Sequence, residues 1–293
     1  MAKQRRAELL LALATGFWSI SYYFSRVCFT ELEVLNLNAF RFLSAFVVLS
    51  AVYRGHYRSM TRETVKWGCA VGLVLVVTYI GATYGVKLTS LSNAGFISCL
   101  AVIITPIIEL ALFRRKPGKK LAASLLLCTL GLALLTLNET LRFATGDALC
   151  FMCSVAYAFD IVMTERAVAR PEVDPIGMSV VEIGVTGAAF LLLSLVFEQP
   201  RLPRSPEVWG AALFLGVLCS GVAFVIQTTQ QKHTSAERVA LIFTLEPVFS
   251  AIIAYFLAHE RLLPRNYIGA ALVVLSLLLA QFDFKWGGKN DNV

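Results

Sequence analysis

The chain has 293 residues, 57% hydrophobic and only 15% charged, with a mean hydropathy of +0.71. That balance excludes an ordinary soluble domain, because apolar runs of the ~20 residues needed to cross hydrocarbon recur along nearly its whole length. The net charge of +7 does not indicate nucleic acid, since the basic residues sit in short clusters between apolar runs, as they do around membrane spans.

Ten spans are predicted, at 7–28, 34–53, 66–87, 91–113, 120–137, 146–166, 175–197, 207–231, 235–257 and 264–282. The basic flank Lys3-Arg5-Arg6 ahead of the first run is that of a signal peptide. The run continues through Trp18 and Tyr22-Tyr23 without a clear small-residue cleavage site, so it reads as the first span. The connections are short, and no extramembrane domain is left over. The sixth span carries Asp160, and the eighth ends in the polar run Gln227 to His233. Most of the seven cysteines fall inside spans and read as small apolar packing residues. Cys150-x-x-Cys153 has redox spacing but lacks the strand context that such a motif needs.

Lys and Arg set the expected orientation. With the amino terminus inside, 18 of them flank the spans on the cytoplasmic side and 7 on the other, with Arg41 inside a span. Both termini are therefore expected in the cytoplasm, of a bacterial-type inner membrane.

The most informative stretch is Thr234 to Glu260, an apolar run broken near its middle by Glu246-Pro247. Pro247 removes a backbone donor and clashes with the preceding turn. A carboxylate at that depth needs a polar partner. A weaker copy, SNAGFISCLAVIITPIIELALF, begins at Ser92 and carries Pro106, 141 residues before Pro247. The same offset sets Arg41 beside Glu182, and an offset of 139 sets Trp18 beside Tyr157. A duplicated chain follows, with halves 1–140 and 141–293. Five spans per half is odd, so the second half enters the membrane in the opposite sense. The expected fold is all-α: ten transmembrane helices in two inverted five-helix repeats, with the substrate near midplane.

The stretches LNLNAFRFLSAFVVL, GATYGVKLTSLSNAGFISCL and HTSAERVALIFTLEPVFSAIIAYFLAHERLLPRNYIGAAL resemble the EamA domain of the drug/metabolite transporter superfamily, twice over. The last carries the proline-centred span, the Glu after it (Glu260) and the Gly-led final helix (Gly269). The first half departs from the pattern: RRKPGKK at 114–120 stands where the Glu belongs, and Gly131 alone matches the final helix. The resemblance implies a ten-helix carrier, commonly an exporter of amino acids, metabolites or amines.

Ionisable groups inside spans are candidate functional residues because burying them is costly. Glu246, next to the break, can meet a cation or a proton; the structural alternative is a hydrogen bond to a helix terminus. Glu182 can bind a cation, carry a coupling proton or pair statically with Arg41. The Arg41 guanidinium can clamp a carboxylate, and the two together would read both ends of a zwitterion. Asp160 has Tyr157 one turn before it, an arrangement suited to an ammonium, or it caps near the interface. Glu109 is expected to reach the membrane edge and is not taken as a ligand. Trp18, Tyr22 and Tyr79 are candidate cavity-lining aromatics, and Pro106 and Pro247 candidate gating positions.

There is no phosphate loop or metal-ligand spacing, so no cofactor, metal site or catalytic residue is expected, and the chain is not read as an enzyme. The function inferred at this level is secondary active transport of a small polar metabolite, an amino acid or organic amine, by alternating access. Protons are the candidate coupling ion, the lipid bilayer is the partner, and the chain is a monomer or homodimer. The alternative is a non-transporting scaffold or receptor whose buried charges are structural.

Overall fold

The protein is described from a computed structural model, over residues 2–89, 97–136, 145–257 and 263–281. All regular structure in these residues is helical. The helices are α1 (Ala2–Cys28), α2 (Val34–Val52), α3 (Arg62–Leu88), α4 (Ala101–Phe113), α5 (Lys119–Thr136), α6 (Thr145–Val168), α7 (Pro175–Phe197), α8 (Pro206–Gln231), α9a (Ala236–Phe243), α9b (Leu245–Leu257) and α10 (Pro264–Gln281). A short 3-10 turn, Arg54–Ser59, follows α2. Each expected span coincides with a helix, although residues 91–96 of the fourth lie outside the described residues. Among the described residues five helices are long and apolar enough to cross a membrane by length and composition: α2, α3 up to Gly85, α6, α7 and α8.

The helix starts follow local chemistry. Thr61 caps α3 by accepting from the Thr64 N–H at 3.0 Å. Asp174 caps α7 through the Ile176 and Gly177 N–H groups, and Ser205 caps α8 through Val208, with proline in the first helical turn of each. α4 ends at Arg114, whose φ of 55° puts it in the left-handed region usually left to glycine.

Two helices are irregular. α8 is wound as a π-helix over Leu215–Val222, and the ninth span is interrupted at Thr244. The interruption lies just upstream of the Glu246-Pro247 pair, for a simple reason. Pro247 has no N–H for the carbonyl four residues back, and its ring crowds that carbonyl; the residue is Phe243, the last of α9a. Pro106, by contrast, lies inside a continuous α4.

α3 packs along α6 and α7, α2 along α7, and α5 along α10, while α1 lies against α8 and α9. The closest approaches are made by small residues. A Cβ on Gly72 of α3 would stand 2.7 Å from the Glu182 carbonyl oxygen, and one on Gly131 of α5 would stand 2.8 Å from the Val273 nitrogen and 2.9 Å from the Gly269 oxygen. The Thr186 hydroxyl of α7 also donates to the Gly72 carbonyl at 3.1 Å, fixing α7 on α3 beside Glu182.

The two ends are held differently. At the Cys28 end, two loops exchange helix caps. Glu198, after α7, accepts from Leu35 and Asn36 at the start of α2 (3.0 and 2.8 Å). Glu31, after α1, accepts from the Arg204 and Ser205 N–H groups at the start of α8. At the Ala2 end the ties are ionic. Arg238 of α9a meets Glu8 of α1 at 3.1 Å, and Arg166 of α6 meets the fully buried Glu109 of α4 at 3.0 Å. Arg115 reaches both Glu109 and Glu165, and the Glu165 carboxylate accepts from the Ala236 N–H. Glu109 thus does not reach an exposed edge: it is enclosed by the cations whose charge it balances.

Two outcomes are expected. Gly131→Ala sets a methyl against backbone that cannot yield, so it should destabilise the protein by about 1–3 kcal/mol, read as a lower melting temperature in detergent. The Glu31 carboxyl is held below the usual carboxylate range by N–H donation from Arg204, and from Ser205. A lowered folded-state value means that its contribution is present above the ordinary carboxylate range and is lost as pH falls through the folded value. Glu31→Gln should therefore flatten the acid limb of melting temperature against pH.

Candidate functional site

The candidate residues fall into three levels along the bundle axis. The level toward the Cys28 end is organised by the break in the ninth span. Leu245 and Glu246 open α9b, so the Glu246 side chain projects from a helix start inside the bundle. Its side-chain partner is the Tyr22 hydroxyl of α1, and its backbone carbonyl accepts from Ser19 at 3.0 Å. Tyr22 is 52% exposed, and Glu246 is itself only partly buried. Cys99 and Cys153 lie in the same electrostatic neighbourhood as this pair. The group is thus an acid beside a phenol, neither fully covered by neighbouring side chains.

The middle level is aromatic. Trp18 is the hub: its ring meets Phe243 edge-on at 4.9 Å, Phe224 at 5.5 Å and Tyr157 edge-on at 6.3 Å. Tyr157 stacks on Phe243 with ring centres 5.8 Å apart. Phe42 joins Tyr79 edge-on at 4.9 Å. These contacts tie α1, α2, α3, α6, α8 and α9a into one layer and bring together Trp18, Tyr79 and Tyr157.

Arg41 belongs to this level. Its Nε donates to the Ser220 hydroxyl and its Nη2 to the Cys219 carbonyl at 3.3 Å. Its guanidinium lies 5.2 Å from the Tyr79 ring centre and 5.7 Å from that of Phe42, so cation–π attraction supplements the hydrogen bonds. The Trp18 indole N–H donates to the same Cys219 carbonyl at 2.9 Å. Both donors address the π-wound part of α8. Such windings widen the helix and recur at functional positions.

The third level, toward the Ala2 end, is acidic. Asp160 of α6 accepts from the Gln227 amide of α8 at 3.0 Å, and Gln231 donates to the Ile161 carbonyl at 2.9 Å. Glu182 of α7 has Thr228 as its side-chain hydrogen-bond partner and lies in the field of Asp160. Asp160 is 0% and Glu182 1% exposed.

One considered pairing is replaced. Arg41 does not meet Glu182, because the π-segment offers it a hydroxyl and a carbonyl at its own level. Asp160 accepts from Gln227 and is near enough to Tyr157 to act on it electrostatically. Pro106 is buried within α4, whereas Pro247 follows Glu246 directly. Sequence reasoning missed Ser220, Thr228, Gln231, Phe224 and Phe243, and left Gln227, at a span end, open between a cap and a ligand. The available signal was polar spacing on α8: Ser220, Gln227, Thr228 and Gln231 stand at i, i+7, i+8 and i+11, one face of a helix. Asn93 and Glu260 lie outside the described residues.

Comparison with known proteins adds the lineage. An uncharacterized transporter of Archaeoglobus fulgidus is 24% identical over 279 residues, covering 94% of this chain and 86% of its own length. A second from the same organism is 25% identical over 264 residues. The uncharacterized transporter YoaV of Bacillus subtilis is 20% identical over 277 residues, covering 92% of this chain and 94% of its own length. A protein of known crystal structure shares the fold, with a TM-score of 0.81 at 20% identity over 94% of this chain and 96% of its own. The sequence profile of the EamA-like transporter family matches twice, over residues 5–137 and 144–282. With both matches together spanning nearly every residue, the chain belongs to the EamA-like transporter family.

Proposed function

We propose that the protein is a secondary active carrier of a small polar metabolite bearing an amine, either an organic amine or an amino acid, and that Glu246 is the group that meets the substrate's ammonium. The observation that carries this reading is the Glu246–Tyr22 pair, incompletely covered by neighbouring side chains, at the break in the ninth span. A carboxylate there, with aromatic faces below it, supplies the charge and the cation–π surface that suit an ammonium. Arg41 is near enough to act on Glu246 electrostatically, but its Nε and Nη2 are taken by Ser220 and Cys219. That engagement favours an amine over a ligand recognised chiefly through its carboxylate.

Alternating access is the mechanism that best uses the remaining geometry. The ion pairs Glu8–Arg238 and Glu109–Arg166 join α1 to α9a and α4 to α6 at the Ala2 end. They hold that end together, while the Tyr22–Glu246 pair lies nearer the other. The pairing of α2 with α7 and of α5 with α10 is what two five-helix halves related by a two-fold axis would produce. The protein is placed in a bacterial-type inner membrane with both termini cytoplasmic, as monomer or homodimer, and works outward, as an exporter or exchanger. A fluorescent protein fused to the carboxyl terminus should then fold and fluoresce, and an outward-facing terminus would leave it dark.

Substrate recognition is tested by thermal stabilisation of purified protein across panels of amines and amino acids, since a ligand that binds only the folded state raises its melting temperature. Amines should stabilise the wild type. Glu246→Gln should remove the shift while leaving the unliganded melting temperature within about 2–4 °C, as expected for a change of ≲1 kcal/mol. Stabilisation confined to carboxylates and lost in Arg41→Ala would replace the amine reading. A well-folded protein that binds and moves nothing would favour a scaffold.

A further inference from the structure

The acidic level is not used by the substrate site just proposed. Asp160 Oδ1, Glu182 Oε2, Gln227 Oε1 and Gln231 Oε1 all lack a hydrogen-bond donor, and their residues are at most 1% exposed. Every one of these orphaned atoms is an acceptor. Buried polar atoms are ordinarily paired, so four acceptors at one helix crossing indicate a missing donor or cation. Two of them belong to carboxylates that act on one another, and adjacent buried carboxylates cannot both ionise at modest cost.

Among the described residues the surrounding elements supply no compensating charge. From α2 comes Arg41, committed to Ser220 and Cys219. From α3 comes Tyr79, packed under the Arg41 guanidinium. α4 contributes Glu109, paired with Arg166, and α9a contributes Arg238, paired with Glu8, together with Glu237. α9b contributes Glu246, held by Tyr22. On α6 the neighbouring titratable group is Tyr157, stacked on Phe243. Between Ala223 and Gln231, α8 brings amides and hydroxyls and no charge. Among the described residues no group of three or more His, Cys, Asp and Glu is arranged for a metal ion.

We propose that Asp160 and Glu182 form a one-proton site, separate from the substrate site, that couples transport to a proton gradient. One carboxyl carries the proton, which leaves the two buried acids with a combined charge of −1 and relieves the repulsion between them. Release sends that proton to water, leaves both groups as carboxylates, and involves no other bond. The pair then needs hydration, which favours a conformation opening the Ala2 end. The layer of Trp18, Tyr157, Phe224 and Phe243 separates this event from Glu246, so proton and amine occupy different sites. The inference rests on the carrier reading for its role in transport, and on the four orphaned acceptors for the proton itself.

Two measurements separate those dependencies. Infrared difference spectra of substrate-free protein, recorded across pH in H2O and D2O, should show a protonated-carboxyl C=O band. That band should persist in Glu246→Gln, vanish in the Asp160→Asn/Glu182→Gln double variant, and move in Glu182→Asp, which keeps an acid in place and guards against misfolding. A band absent from the wild type, or unchanged in the double variant, overturns the proposal whether or not any substrate is known. In proteoliposomes, Glu182→Gln should lower pH-gradient-driven amine accumulation by about tenfold, within the usual range of coupling between sites, while gradient-free counterflow stays within about twofold of wild type. Accumulation driven undiminished in that variant, or driven by a sodium gradient without a proton gradient, overturns the coupling role. If the wild type moves no amine while the band behaves as expected, the carrier reading fails and the proton site stands.

Discussion

Inside hydrocarbon every backbone polar group must find its partner within the protein, and two departures from regular helix among the described residues are where this bundle's chemistry gathers. The π-winding at Leu215–Val222 and the interruption at Thr244 are both served by adjacent residues of α1. Trp18 donates to the Cys219 carbonyl in one, and Ser19 to the Glu246 carbonyl in the other. Arg41 and Ser220 complete the first, while Cys128 of α5 donates to the Thr244 hydroxyl at the second. α1 is thus the element on which both irregularities are hung, and its aromatic face is the floor beneath the acid at the break.

Much of this was legible because membrane spans announce themselves through length and apolarity. The helices follow the runs, and the interruption of the ninth span was marked by Pro247. Its position at Thr244 needed only the geometry of a proline ring against the carbonyl four residues back. The π-winding was not legible, because LGVLCSGV carries neither proline nor charge, and its register depends on Arg41 and Trp18 arriving from other helices. The partner of Arg41 was hidden for the same reason. Pairing it with Glu182 respects charge but ignores depth, and a hydroxyl with a carbonyl at the right level satisfies a guanidinium as well as a carboxylate does. The role of Gln227 stayed open because a polar residue near a helix end reads as a cap or a ligand alike until the neighbouring helices are seen to bury it.

The charges divide by their surroundings. At the Ala2 end Glu8, Glu109 and Glu165 each lie within reach of an arginine. Nearer the middle, Asp160, Glu182 and Glu246 face amides, hydroxyls and a phenol. An acid beside arginine has a countercharge at hand, whereas one held by neutral donors has none and is suited to exchange a proton or accept a cation. Carboxylates of one chemical type are thereby given different work by what stands beside them.

The crossed caps at the Cys28 end carry a mechanical consequence. The loop after α1 holds the start of α8, and the loop after α7 holds the start of α2. Neither α2 nor α8 can tilt at that end without pulling a carboxylate off the other's loop, so α1, α2, α7 and α8 are yoked into one plate there. The yoke spares α3 and α6, which meet at that end through Thr89 and Asp147. Any movement at this face must then carry the four helices of the plate together.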